Sequence, residues 1–261
     1  MHDDELPVKS LGQHWLYDGP TLETIADYAD LRSTDTVLEI GPGLGTLTEV
    51  LLRRSARVIA IELDDRLASK LKDNIADPAL QVMTADILKF DLSTVPRPYK
   101  LVANIPYYLT SKLTRLLSET EYPPSVAVLL VQKEVAERIA AAPGAMSLLS
   151  VATQFFWKVE TGIIVPARLF TPPPKVDSQV VILSRRPAPL FEIDDERSFF
   201  RVVRIGFSQR RKTLLNNLAS GLHLPKERAL AICQEAGIDP ARRPQTLQMD
   251  EWQRLYHHIP T

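Results

Sequence analysis

Cysteine is almost absent from this chain, which has 261 residues and only Cys233. A single cysteine excludes an internal disulfide and a thiolate metal cluster, so we expect a small buried apolar side chain there. No apolar run approaches the length of a membrane span, and the first five residues are polar and acidic, unlike a secretory signal. We therefore expect a cytoplasmic protein without membrane contact. The histidines His223, His257 and His258 have no metal-ligand neighbours, and we predict no metal site.

A surplus of basic residues is missing as well, since 31 Lys and Arg stand against 32 Asp and Glu, a formal net charge of −1. The charges are unevenly placed. Residues 185–261 hold 13 basic and 9 acidic side chains, whereas the first 184 residues hold 18 and 23. The basic C-terminal part suits a polyanionic partner, although domains of unequal charge also occur without one. Internal repeats and low-complexity segments are absent from the sequence.

Short apolar runs alternate with helical periodicity in the first part of the chain, which predicts an α/β fold with a mainly parallel sheet. The predicted strands are residues 36–40, 57–61, 80–84, 100–104, 126–132, 157–165 and 177–184. The predicted helices among them are residues 46–54, 65–76, 109–119, 133–141 and 147–156. The proline-rich stretch 170–175 should be an extended loop, because consecutive prolines lack the N–H groups that a sheet needs.

The strand pattern stops at the stretch Arg185-Arg186-Pro187-Ala188-Pro189, which is the best candidate for a linker. Only helical patterns follow it, over residues 195–207, 210–219, 225–236 and 248–258. We therefore predict a larger α/β domain over residues 1–186 and a small all-helical domain over residues 187–261.

The most informative motif is the glycine-rich stretch that follows the first long strand, Leu38-Glu39-Ile40-Gly41-Pro42-Gly43-Leu44-Gly45. Glycines at alternate positions allow positive φ and let the backbone approach a ligand closely, as in nucleotide-binding turns. The pattern differs from the dinucleotide fingerprint in its glycine spacing and in the acid before it. It suits S-adenosylmethionine better, because Glu39 and the nearby backbone can meet the cationic end of that cofactor.

Two acids follow the next strands at intervals that suit a bound nucleoside. Glu62 lies 21 residues after Gly41, where an acid usually bonds ribose hydroxyls. Asp86 follows the third strand and can accept a hydrogen bond from an adenine amine. The competing interpretations are a solvated acid for Glu62 and a helix cap for Asp86.

The stretch Asn104-Ile105-Pro106-Tyr107 closes the fourth strand, at the same edge of the sheet as the glycine turn. The exocyclic amine of adenine carries two protons and is a poor nucleophile, so it needs acceptors. The side-chain oxygen of Asn104 and the carbonyl of Ile105 can supply them, Pro106 stiffens the turn, and Tyr107 can stack on the base. Methyl transfer then depends on orientation and desolvation. An ordinary strand-ending turn is the competing interpretation.

These motifs resemble the KsgA/RsmA family of 16S ribosomal RNA adenine-N6,N6-dimethyltransferases, within the wider ribosomal RNA adenine dimethylase superfamily. The resemblance covers nearly the whole chain. The segments that carry it are 12–18, the cofactor motifs, 104–107, 130–136, 170–178 and 207–214. It implies a class I, Rossmann-like methyltransferase fold that depends on S-adenosylmethionine, with a small helical C-terminal domain.

The resemblance also implies roles for individual residues. Cofactor contacts are implied at His14, Leu16, Gly41, Glu62, Asp86 and Asn104. Phe170 is implied to stack on the base opposite Tyr107. The family usually has Asn in place of His14 and Phe in place of Trp15. The loop 143–147 is shorter than in relatives, and the start of this chain is acidic where theirs is basic.

A basic segment in the C-terminal part is a candidate contact for RNA phosphates. Its members are Arg201, Arg204, Arg210, Arg211 and Lys212, and Lys133 and Arg138 extend the candidate surface. Few acids lie close to the segment in sequence. The competing interpretation is a solvated helix face.

Taken together, these observations predict an enzyme that methylates N6 of two adjacent adenosines in a hairpin near the 3′ end of 16S ribosomal RNA. We expect it to act as a monomer on the 30S subunit or its precursor during ribosome biogenesis. One alternative is an Erm-type methyltransferase of 23S ribosomal RNA. Another is a non-catalytic assembly or transcription factor that keeps the fold.

Overall fold

The structure, a computed structural model, describes residues 13–259; the acidic start of the chain and Gly12 lie outside them. The strands are β1 Trp15–Leu16, β2 Thr36–Ile40, β3 Arg57–Glu62, β4 Leu80–Thr84, β5 Tyr99–Asn104, β6 Val126–Gln132, β7 Trp157–Val165, β8 Phe170–Thr171 and β9 Ser178–Arg185. The helices are α1 Gly19–Asp27, α2 Thr46–Leu52, α3 Asp65–Asn74, α4 Thr110–Glu119, α5 Lys133–Ile139, α6 Leu148–Phe156, α7 Glu196–Gly206, α8 Leu214–Gly221, α9 Lys226–Glu235 and α10 Met249–His258. The predicted strands and helices are confirmed, with shifts at their ends.

Seven strands form one sheet in the order β4-β3-β2-β5-β6-β9-β7. The pairs from β4 through to β6 are parallel, and β9 runs antiparallel to β6. The chain passes outward from β2 to β4 and then returns to β5 on the other side of β2. That reversal opens a crevice at the carboxyl ends of β2 and β5, where open α/β sheets bind ligands.

The central strands are apolar because both of their faces are covered. Leu38, Ala60, Leu101 and Leu129, one from each of four neighbouring strands, have no exposed surface. The same burial holds the backbone at the carboxyl ends of these strands in fixed positions. Side chains that extend from those ends are therefore presented by a rigid scaffold.

The sequence prediction missed three elements near the start and in the proline loop. Helix α1 begins with an Asp18 side chain that accepts a hydrogen bond from the Thr21 N–H, and Pro20 follows that cap. The two short strands β1 and β8 pair antiparallel, with Leu16 opposite Phe170. The predicted loop 170–175 therefore starts as a strand, because its prolines come only after Thr171.

Contacts divide the chain into two compact units. The first runs to Ala136 and resumes over Lys158–Arg185, and the second comprises Glu137–Trp157 and the chain from Arg186 onward. The predicted division had placed residues 137–157 in the α/β domain. They belong to the helical unit because Phe155, which is fully buried, packs its ring 5.2 Å from Phe199 and 5.1 Å from Phe191.

Helix α8 begins at Leu214 and not at residue 210 as predicted. The side chain of Thr213 caps it by accepting from the Asn216 N–H, so residues 210–212 form a turn before the helix. The buried Asn217 side chain holds that connection, because its Nδ2 donates to the carbonyls of Gly206 and Gln209. Among residues 13–259, no helix is long and apolar enough to cross a membrane.

Candidate active site

The glycine turn after β2 has the conformation that its sequence predicts. Gly41, Gly43 and Gly45 have φ values of +66°, +57° and +88°, which L side chains rarely adopt. A Cβ on Gly43 would lie 2.5 Å from the Trp15 ring, and one on Gly45 would lie 2.6 Å from Leu71. Both positions therefore favour glycine for its positive φ, and at Gly43 a Cβ would also have to displace the Trp15 ring, whereas at Gly45 it would meet only flexible side-chain ends.

Glu62 is the last residue of β3, and its carboxylate accepts a hydrogen bond from the glycine turn. Its Oε2 accepts from the Gly43 N–H at 3.1 Å, and its Oε1 accepts from the N–H groups of Leu63 and Asp64 at 2.8 and 3.0 Å. Burial raises the pKa of Glu62, and these three bonds oppose that shift. A carboxylate offers about four acceptor positions, so three protein donors leave roughly one for a ligand hydroxyl.

Glu39 is the penultimate residue of β2 and is almost completely buried, with 1% of its surface exposed. Its Oε2 accepts from the Thr48 hydroxyl at 2.6 Å. Burial raises the pKa of Glu39 to about 8; the bond from Thr48 opposes this shift, and the charge of Glu62 adds to it. The carboxyl group is therefore largely protonated at neutral pH until a cation comes near it.

Asp86 caps the turn that follows β4, as one interpretation of the sequence predicted, and its contact with adenine stays a prediction. Its Oδ1 accepts from the Leu88 N–H at 3.0 Å, which caps the turn, and the residue also lines the central cavity. The second oxygen, Oδ2, has no hydrogen bond to the described residues. A ligand in the cavity can use that oxygen as an acceptor.

Asn104 lies at the end of β5, and its amide nitrogen donates to the His14 carbonyl at 3.3 Å. That bond turns the side-chain oxygen, Oδ1, into the unused acceptor. The carbonyl of the buried Ile105 also accepts no hydrogen bond from the described residues. Pro106 then precedes a 3₁₀ turn over Tyr107–Leu109. In that turn, the Leu109 N–H donates to the Pro106 carbonyl at 2.9 Å. Two successive residues that line the cavity thus each offer an acceptor that no described residue uses.

The Tyr107 side chain is held by contacts with Ser178 and His14. Its hydroxyl shares a 2.9 Å hydrogen bond with Ser178, and burial raises the pKa of the hydroxyl. The His14 ring stacks on the Tyr107 ring at 5.8 Å and 24°, and His14 Nδ1 lies 2.7 Å from the Pro172 carbonyl. A base that stacks on Tyr107 uses its other face or displaces the imidazole.

One cavity of about 260 Å³ brings most of the predicted site residues together. Those that line it are His14, Leu16, Glu39, Gly41, Gly43, Glu62, Asp86, Asn104, Ile105, Pro106 and Tyr107. Gly45 and Phe170 are not among the lining residues. Gly45 instead precedes α2, and Phe170 is only 3% exposed and packs in the core with Leu16. The stacking role of Phe170 stays a prediction.

The sequence analysis missed several residues of the same cavity. Leu63 and Ile87 each directly follow a predicted acid, which is the signal that would have found them. Trp15 covers Gly43 from β1. Tyr108 and Lys112 follow the Asn104–Tyr107 stretch and lie at the exposed side of the cavity.

The predicted RNA contacts are mostly at the surface. Arg201 and Arg204 are exposed on α7, and Arg210, Arg211 and Lys212 are exposed in the turn that Asn217 holds. None of these five forms an ion pair with another described residue. On α5, Lys133 is partly buried and Arg138 is exposed. Their contacts with RNA stay a prediction.

An open sheet with a glycine turn, and with acids at the ends of successive parallel strands, defines a methyltransferase of the class I, Rossmann-like fold. A family model described as "Ribosomal RNA adenine dimethylase" matches residues 7–260, and the chain belongs to that family. The predicted family and fold class are thereby confirmed.

Individual relatives are similar over nearly the whole chain. The Ribosomal RNA small subunit methyltransferase A of Dehalococcoides mccartyi is 45% identical over 251 residues, covering 95% of this chain and 86% of that protein. A dimethyladenosine transferase from Plasmodium falciparum has a TM-score of 0.80 at 29% identity, covering 93% of this chain and 96% of that one. The 23S rRNA methyltransferase ErmE has a TM-score of 0.76 at 31% identity, covering 94% and 98%.

Proposed function

We propose that this enzyme transfers methyl groups from S-adenosylmethionine to N6 of adenosine in small-subunit ribosomal RNA. Its targets are two adjacent adenosines in a hairpin near the 3′ end of 16S RNA, each of which receives two methyl groups. The observation that carries the proposal is the pair of unused acceptors, Asn104 Oδ1 and the Ile105 carbonyl, beside the glycine turn. The 45% identity to a small-subunit methyltransferase supports the choice of RNA.

The residues around the glycine turn fit the cofactor. A Cβ on Gly41 would lie 3.9 Å from the Asn104 carbonyl oxygen. Glycine leaves that space between the turn and the end of β5 open to a ligand. The remaining acceptor position of Glu62 suits a ribose hydroxyl, and Asp86 Oδ2 suits the amine of adenine. Glu39 and the turn would face the cationic amino-acid end. When bound, the sulfonium supplies an electrophilic methyl group.

The target base needs acceptors because its N6 amine carries two protons and donates its lone pair to the ring. Asn104 Oδ1 accepts one proton and the Ile105 carbonyl accepts the other, which orients the amine. Ile105 is 2% exposed, so we expect its apolar side chain to shield one side of the amine from water. Catalysis then comes from positioning and desolvation, with no strong base among these groups.

RNA binding would use the exposed cations of the helical unit. Arg201, Arg204 and the turn 210–212 offer five charges that no described acid neutralises. Such charges bind phosphates without reading sequence, so their contribution depends on salt. We propose a monomer that acts in the cytoplasm on the 30S subunit or its precursor during ribosome biogenesis.

The likeness to ErmE makes a 23S-specific methyltransferase the second candidate. The decisive experiment incubates the protein with labelled S-adenosylmethionine and undermethylated small or large subunits, and then maps the modified base. Dimethyladenosine in the 3′ hairpin of the small subunit is the expected result. Label confined to the large subunit would assign the second candidate, and cofactor binding without label in either subunit would contradict both assignments.

A further inference from the structure

Tyr108 is an aromatic side chain that the fold itself does not use. It is 54% exposed although it lines the cavity, so part of its ring faces the ligand site and part faces solvent. Its neighbour Tyr107 is held by Ser178 and His14. The Tyr108 side chain has no hydrogen bond or ring contact with any described residue. A ring that lines the cavity and is also open to solvent can contact a ligand at the cavity mouth.

Lys112 lies four residues further on, in the first turn of α4, and lines the same cavity as Tyr108. It is exposed and lines the cavity, and no described acid pairs with it. It is also the one Lys or Arg among the described lining residues. The acidic lining residues are Glu39, whose carboxyl is largely protonated, and Glu62 and Asp86, whose carboxylates would repel a phosphate.

We propose that Tyr108 and Lys112 form a nucleotide subsite at the mouth of the cavity, which holds the RNA residue next to the target adenosine. The subsite rests on the proposed function, because it requires an adenosine in the cavity. The Tyr108 ring stacks on the neighbouring base, and the Lys112 ammonium binds the phosphate that joins the two nucleotides.

The physical reason is the unstacking that accompanies extrusion of a base. A base that enters the cavity leaves its neighbour without a stacking partner, which costs free energy. An exposed aromatic ring restores a partner for any base, since every base has a π face. With two adjacent targets, the adenosine that is not in the cavity would occupy the subsite.

The test compares substitutions of the full-length protein in steady-state methylation of undermethylated small subunits. Tyr108→Ala should raise KM for the subunits roughly 5- to 100-fold, the range for loss of one base–aromatic stack. Tyr108→Phe should stay within about twofold of wild type, because the ring is kept. Neither change should alter the Kd for S-adenosylmethionine in calorimetry.

Lys112 has its own signature, which is the salt dependence of binding. Lys112→Ala should lower the slope of log Kd for subunits against log salt by about 0.7, the contribution of one single-stranded phosphate. Lys112→Arg should restore the slope. The matched control is Arg115→Ala, one turn along α4, where Arg115 already pairs with Glu119 at 2.7 Å and does not line the cavity.

Three results would overturn the subsite: wild-type KM for Tyr108→Ala, equal losses for Tyr108→Ala and Tyr108→Phe, or weaker cofactor binding by Tyr108→Ala. Each variant is compared with wild-type protein that methylates small subunits in the same assay. Failure of the subsite would therefore leave the proposed function intact. If wild-type protein labels no small subunit, the proposed function fails and the subsite fails with it.

Discussion

The side-chain nitrogen of Asn104 donates to the backbone carbonyl of His14 across 90 residues of sequence. This bond joins the segment before α1 to the end of β5, and it decides which end of the Asn104 amide faces a ligand. Because the nitrogen is engaged, the oxygen is the atom left to accept from an adenine amine. The orientation of the proposed acceptor therefore depends on a segment outside the large sheet.

Replacement of Asn104 should remove activity and keep the fold. Asn104→Ala deletes the acceptor, and we expect kcat/KM to fall by about 100-fold or more, since loss of positioning at a reacting group has effects of that size. Asn104→Asp keeps an oxygen but places a carboxylate against the His14 carbonyl, so it should also be impaired. Circular dichroism should match wild type. Substantial turnover by Asn104→Ala would contradict the assigned role.

The hydrogen bond between Tyr107 and Ser178 should contribute modestly to catalysis, because it orients the ring that we propose stacks on the base. Tyr107→Phe and Ser178→Ala should each lower kcat/KM by about 2- to 10-fold, the effect of one neutral hydrogen bond. The double variant should lose no more than either single one. Tyr107→Ala should lose far more. Additive single losses would mean that the two groups act independently.

Glu39 should make the stability of the ligand-free protein depend on pH. Its pKa rises from an ordinary 4.5 to about 8, so the native state holds a proton that the unfolded chain releases. The contribution of this group to folding is therefore fully present below pH 4.5 and is lost as pH rises toward 8.

Glu39→Gln keeps the shape and removes the titration, so it should raise the free energy of unfolding by roughly 1–3 kcal/mol at pH 8.5 relative to wild type. At pH 4.5 the two proteins should be nearly equal. Thermal denaturation at the two pH values measures both differences. An equal shift at both would show that Glu39 does not titrate in this range.

Gly43 and Gly237 form a matched pair for the glycine turn, because their φ values are +57° and +67°. A Cβ on Gly43 would meet the Trp15 ring at 2.5 Å, whereas a Cβ on Gly237 would meet nothing within 4 Å. Gly237→Ala should cost about 1–2 kcal/mol, the strain of a left-handed residue. Gly43→Ala should cost more and should weaken cofactor binding, as measured by thermal denaturation and calorimetry. Equal costs would rule out a steric role for Trp15.

The turn 210–212 should govern the salt dependence of RNA binding. Replacing Arg210, Arg211 and Lys212 together by Ala should lower the slope of log Kd against log salt by about 2 to 3, at 0.7–0.9 per phosphate. The control Lys226→Ala changes an exposed cation at the start of α9 and should leave the slope unaltered. Methylation of free nucleoside, if detectable, should be unaffected. An unchanged slope in the triple variant would remove this turn from the RNA surface.

Much of the site could be read from the sequence because its parts lie at the ends of successive strands. The glycine turn, Glu62, Asp86 and Asn104 each directly follow an apolar run, and parallel strands must bring those ends to one edge. Local rules also identified most helices. They placed the start of α8 too early, because the Thr213 side chain caps the helix at Leu214. They also missed α1, although Asp18 is a typical N-cap residue.

The amino-acid sequence by itself determined the family, the parallel sheet and the glycine turn, because period, spacing and positive φ are local properties of the chain. Only the tertiary structure decided the state of the functional groups. Burial raises the pKa of Glu39. The hydrogen bond from the Asn104 nitrogen to the His14 carbonyl leaves the Asn104 oxygen as the free acceptor. Packing also buries Phe170 and leaves Tyr108 open. Each of these depends on residues distant in sequence, whose proximity no local pattern encodes.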